Sequence, residues 1–90
     1  MREYFLYIMK DVDDKFTIEL TDDMSLSIQE EKIDKDTKFL VYYEKKSSLQ
    51  NALDRKKSLE QWSYEKIKKL VESLNPELLD ISYIWQMSFS

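Results

Sequence analysis

The sequence contains no cysteine, no histidine and no glycine, and only one proline. Without cysteine there is no disulfide, thiolate metal site or thiol nucleophile. Without histidine the commonest general base and the commonest metal ligand are missing. Average glycine usage of about 7% would give about six in a chain this long. Tight turns must therefore be built with Asp, Asn or Ser, and a glycine-lined phosphate loop is excluded. No apolar run approaches the roughly 18 residues that span a bilayer. The opening Met1-Arg2-Glu3-Tyr4 lacks the charged-then-apolar layout of a signal peptide, so cytoplasmic residence without a membrane partner is expected.

What is present suits a single folded domain over residues 1–90. Hydrophobic residues make up 42% of the chain and charged ones 36%, with no disorder signature. A domain of this size buries roughly 60–65% of its unfolded surface, which supports one modest core. Net charge is −4 but unevenly spread. Residues 11–36 hold ten acidic and three basic side chains, whereas residues 37–74 hold five acidic and nine basic ones. Such asymmetry can orient a partner and says nothing about fold.

Tyr4 to Met9 is continuously apolar and aromatic, as in a strand covered on both faces. Asp11-Val-Asp-Asp14 reads as a turn. Phe16, Ile18 and Leu20 then alternate with Lys15, Thr17, Glu19 and Thr21, giving a half-buried strand that completes a hairpin. Thr21 or Asp22 is expected to cap a short helix reaching about Lys32, with Met24 and Ile28 on its inner face. Phe39 to Tyr43 is a third strand. Ser47 with Gln50 resembles a capping box, and Leu49, Ala52, Leu53, Lys56, Leu59 and Trp62 fall near one helical stripe. A further helix turns Ile67, Leu70, Val71 and Leu74 inward and ends at Asn75-Pro76. The expected class is α+β: a small three-stranded antiparallel sheet flanked by helices, in the order β-β-α-β-α-α.

Read in that order, three stretches resemble the GIY-YIG nuclease superfamily. They are Tyr4-Phe-Leu-Tyr-Ile-Met9, Leu40-Val-Tyr-Tyr-Glu44, and a discontinuous match through Ala52-Leu53, Leu59, Trp62-Ser63, Asn75-Pro-Glu77 and Asp80. The likeness is to the small stand-alone bacterial type, related to the nuclease domain of the bacterial excision-repair endonuclease. The resemblance implies metal-assisted phosphodiester hydrolysis: tyrosines activate water, an arginine steadies phosphate, and a helix glutamate holds a divalent ion. Carried over without gaps, Tyr7 is the tyrosine of the first element. The tyrosine opening the second element falls on Thr17 and its glycine on Glu19. The arginine falls on Ser27, the metal-holding glutamate on Lys56, and the asparagine is Asn75. Only Tyr7 and Asn75 keep the family identity.

A degenerate member is therefore expected, with no catalytic residues and no cofactor. Removing one preorganised donor typically costs about 3–4 kcal/mol in the transition state, and a lysine repels the metal outright. The function expected is a non-enzymatic interaction module, or a weak nucleic-acid binder through Arg55, Lys56, Lys57, Lys66, Lys68 and Lys69. The alternative is an endonuclease that uses magnesium or manganese to cut DNA or RNA. Interspersed Glu60, Glu65 and Glu72 and the acidic run at 11–23 argue against strong phosphate binding. Asp11, Asp13 and Asp22 have calcium-loop spacing, but Lys15 and Phe16 occupy positions needed for a ligand and the turn glycine, so that pattern fails. Finally, Ile81, Tyr83, Trp85, Met87 and Phe89 alternate with Ser82, Ile84, Gln86, Ser88 and Ser90, and residues 82–90 form an apolar tail. An extended segment closing the core is the first expectation. A docking strand through Tyr83, Trp85, Met87 and Phe89, for a second copy or another protein, is the sharper one.

Overall fold

The computed structural model describes residues 3–33 and 38–86. Its elements run β1 (Tyr4–Asp11), β2 (Phe16–Thr21), α1 (Met24–Ile33), β3 (Lys38–Lys46), α2 (Leu49–Leu59), α3 (Tyr64–Leu74) and the single turn α4 (Tyr83–Gln86). The fold is α+β. The antiparallel sheet has the order β2-β1-β3, so the most apolar strand lies in the centre. No described helix is long and apolar enough to cross a membrane.

Alternation along β1 divides its side chains between two cores. Leu6 and Ile8 join Val41, Tyr42, Leu59, Ile67 and Val71 beneath α2 and α3. Tyr7 and Met9 join Leu40 and, from α1, Met24 and Ile28. Each fully buried aliphatic side chain stabilises the fold by roughly 1.5–3 kcal/mol relative to exposure. The register of β1 with β3 slips between Ile8 and Met9, which face Tyr42 and Leu40. Val41 is thus an extra residue, and the bulge turns both Val41 and Tyr42 toward the two long helices.

Without glycine, the β1–β2 turn places Asp14 in the left-handed region at φ 62°. The Asp11 carboxylate accepts from the backbone N–H groups of Asp13 and Lys15 at 2.9 and 3.0 Å. Hydrogen bonding from Lys15 holds that carboxyl below its ordinary value. The second left-handed residue departs from the expectation that Asp, Asn or Ser fills such sites: it is Leu78, at φ 53°. Asn75 enforces this bend. Its carbonyl accepts from Leu78 N at 3.0 Å, and its side-chain amide both accepts from Leu79 N and donates to Leu79 O.

Several local expectations are corrected. The cap of α1 is Asp23, whose carboxylate accepts from Leu26 N at 3.0 Å, while Thr21 Oγ1 accepts from Asp23 N one step earlier. The cap of α2 is Ser48, whose hydroxyl accepts from Asn51 N, and not Ser47. Helix α2 buries Ala52 and Leu59, with Arg55 and Lys56 between them half-buried. That i, i+3, i+4, i+7 set is rotated from the expected stripe, so Leu49 and Leu53 are exposed. Trp62 lies beyond the helix, and Leu74 at the end of α3 is exposed.

Candidate functional site

The rotated stripe of α2 puts two cations on either side of a buried ridge. Lys56 reaches toward β2, where a groove of about 530 Å³ opens between strand and helices. Phe16, Thr17, Glu19, Lys56, Glu60 and Trp62 contribute to its lining. Because the strand residues lining it, Phe16 to Glu19, are consecutive and their side chains alternate in direction, the groove follows the edge of β2. Phe16 stacks on Tyr64 at 5.2 Å between ring centroids, and both rings line the groove. Lys56 Nζ lies 3.4 Å from the Glu60 carboxylate.

Arg55 turns the other way, to β3. Its Nε and Nη2 donate to the two Glu44 carboxylate oxygens at 3.0 and 2.9 Å, a bidentate pairing. The Tyr42 hydroxyl donates to the same carboxylate at 2.6 Å, and Lys46 sits 3.1 Å away. Burial alone would raise the Glu44 pKa, but hydrogen bonds from Arg55, Tyr42 and Lys46 overcome it and hold the value at about 2. Burial, reinforced by the bond to Glu44, pushes the Tyr42 phenol well above its ordinary value. Trp62 lies between Arg55, 5.3 Å from its ring centroid, and Lys66, 4.2 Å away. Sequence reasoning assigned no role to Glu44, because nothing in the chain signals that it meets a residue eleven positions on.

The positions singled out by resemblance are only partly brought together. Thr17, Glu19 and Lys56 line the groove. Tyr7 is buried in the core under α1, with Glu19 as its cross-strand neighbour. The Ser27 hydroxyl donates to Thr21 Oγ1 at 2.6 Å, which ties the start of α1 to the end of β2. Asn75 is buried and donates to Val41 O at 3.1 Å. Among the described residues no three acidic groups gather to hold a metal ion.

No family model matches the chain, and neither does any curated protein or solved structure. Its own residues must carry the reading.

The basic residues proposed for phosphate differ in their surroundings. Arg55, Lys56 and Lys66 have partners in Glu44, Glu60 and Trp62, while Lys57 and Lys69 are exposed and Lys68 half-buried. The tail also differs from expectation. Instead of continuing extended, the chain makes one helical turn at Tyr83–Gln86. Asp80 starts it by accepting from Ser82 N at 3.0 Å. Ile81 and Trp85 are four apart, so the alternation that suggested a strand also suits one helical face. Both pack on the core under α1, and the Trp85 ring meets Phe5 and Tyr43 edge-on at 5.1 and 5.2 Å. Tyr83 points outward at 54% exposure. Met87 and Phe89 lie outside the described residues.

Proposed function

We propose that this chain is a non-catalytic interaction module on a scaffold resembling the GIY-YIG nuclease domain. The observation that carries this reading is Lys56. It is a cation in the β2 groove, ion-paired to Glu60, at the position the resemblance gives to a metal-holding glutamate. An ammonium there repels a divalent ion and cannot lower the pKa of a bound water. Tyr7 and Asn75, the two retained family residues, support the reading too. One is buried in the core and the other uses its carboxamide on the backbone of β3 and its own loop. Weak phosphate binding is the lesser branch, since Arg55 is bound to Glu44 and the groove carries Glu19 and Glu60.

The test is incubation of the purified chain with single-stranded, duplex and branched DNA and with RNA, in magnesium or manganese. No cleavage is expected. Cleavage that disappears in Tyr7→Phe would overturn the proposal in favour of an endonuclease.

A further inference from the structure

The two outer edges of the sheet are treated differently. On β3, Leu40 N donates to the Asp80 carboxylate, Leu40 O accepts from Ile81 N, and Val41 O accepts from Asn75. The segment after α3 therefore covers that edge at Leu40 and Val41. On β2 no further strand pairs among the described residues. Asp11 N donates to Lys15 O at 3.0 Å, so Lys15 turns its backbone toward β1. Hydrogen-bonded and non-bonded pairs alternate along an antiparallel ladder, and the β1–β2 register is unbroken from Phe5–Thr21 to Lys10–Phe16. Thr17 and Glu19 then bond inward, while Phe16, Ile18 and Leu20 present their N–H and C=O groups outward. Beside this edge runs the groove walled by Trp62 and Tyr64.

We propose that the outer edge of β2 receives an extended segment of a partner protein as a fourth strand, with apolar residues entering the groove and lysine or arginine at its ends. The occupant follows from charge. Exposed Asp13 and Asp14 stand at one end of β2 with Lys15 and with Lys10, which pairs with Asp14, and exposed Asp22 and Asp23 stand at the other. Glu19 and Glu60 line the groove with Lys56, the partner of Glu60, so acidic groups outnumber basic ones along this edge. Main-chain pairing supplies affinity in such strand addition, and the flanking side chains supply selectivity. A second copy fits poorly. Antiparallel pairing of two β2 strands would set Asp13 and Asp14 of one against Asp22 and Asp23 of the other. Nucleic acid meets the same acidic ends. The proposal names a partner class for the interaction module and rests on that reading, but its test is separate from the cleavage assay.

The probes are three fluorescent peptides of alternating valine and threonine: one with lysine pairs at both ends, one with glutamate pairs, and one lysine-ended with N-methylated valines. Anisotropy measures binding to the full chain, and amide exchange followed by NMR locates it. The lysine-ended peptide should bind about tenfold or more tightly than its glutamate twin at low salt, with the gap narrowing as salt rises. Exchange at Phe16, Ile18 and Leu20 should slow, and N-methylation should remove both effects. An Asp13→Lys, Asp22→Lys double variant, checked for folding by circular dichroism, should lose the preference for lysine. Equal affinity for both charge types, no binding up to about 1 mM, or protection at other amides would overturn the proposal. Protection that grows with protein concentration alone would give the edge to a second copy and overturn it as well. None of these outcomes bears on cleavage, so failure here leaves the non-catalytic reading to its own assay.

Discussion

Asn75 is only 6% exposed, and its carboxamide bonds Val41 O, Leu79 O and Leu79 N. Removing one partner of a buried hydrogen bond leaves the other unsatisfied at about 1–3 kcal/mol. Asn75→Ala should therefore lower stability by roughly 2–4 kcal/mol, read as an earlier urea midpoint. Asn75→Asp should not rescue it, because a carboxylate cannot donate to the two carbonyls. Glu44 gives the second residue-scale prediction. Its pKa falls from 4.5 to about 2 in the folded protein, so its pairing stabilises the fold above pH 4.5 and that contribution is lost as pH drops toward 2. Glu44→Gln should show less loss of melting temperature over that interval than the parent. Asn75 stood out in the sequence because it precedes a proline and matches a family position. Its bonds to a strand far back in the chain were not legible, since local patterns carry no information about long-range partners. The left-handed Leu78 was illegible for the same reason: Asn75 imposes it, against the residue's own preference.

At the scale of elements, the strands and the three long helices were legible because hydrophobic period and capping residues act locally. The orientation of α2 was not. Leu49 and Leu53 are more hydrophobic than Arg55 and Lys56, yet the latter pair flank the buried Ala52 and Leu59. Long basic side chains lay their methylene stems over apolar surface and carry the charge to a partner, which a hydrophobicity pattern cannot register. The tail shows the opposite ambiguity, where one alternation satisfied both a strand and a helical turn. Because Trp85 packs against Phe5 and Tyr43, Trp85→Ala should destabilise by about 2 kcal/mol, below the usual loss for a fully buried aromatic. Tyr83→Ala, at an exposed position, should leave the urea midpoint nearly unchanged.

Across the whole molecule, one sheet separates two cores, and each has its own tryptophan. Trp62 packs with the cluster under α2 and α3, and Trp85 with the cluster under α1. Because β1 contributes to both, the two faces should unfold together. Single-tryptophan variants Trp62→Phe and Trp85→Phe should give coincident fluorescence and far-ultraviolet transitions, and separate midpoints would show that the faces melt independently. The overall class was legible from element order, whereas the candidate site depended on which side chains converge at the β2 edge. The covering of β3 at Leu40 and Val41 also bears on how the chain is made. Synthesis delivers Lys38–Lys46 well before Asn75–Ser82, so a growing chain carries the strand while the residues that will cover it do not yet exist. Until they emerge, unpaired strand edges are open to wrong partners. Ribosome-bound chains with Lys38–Lys46 emerged and Asn75–Ser82 still inside the exit tunnel should accordingly bind holdase chaperones more strongly than chains extended by a linker that brings Ser82 out.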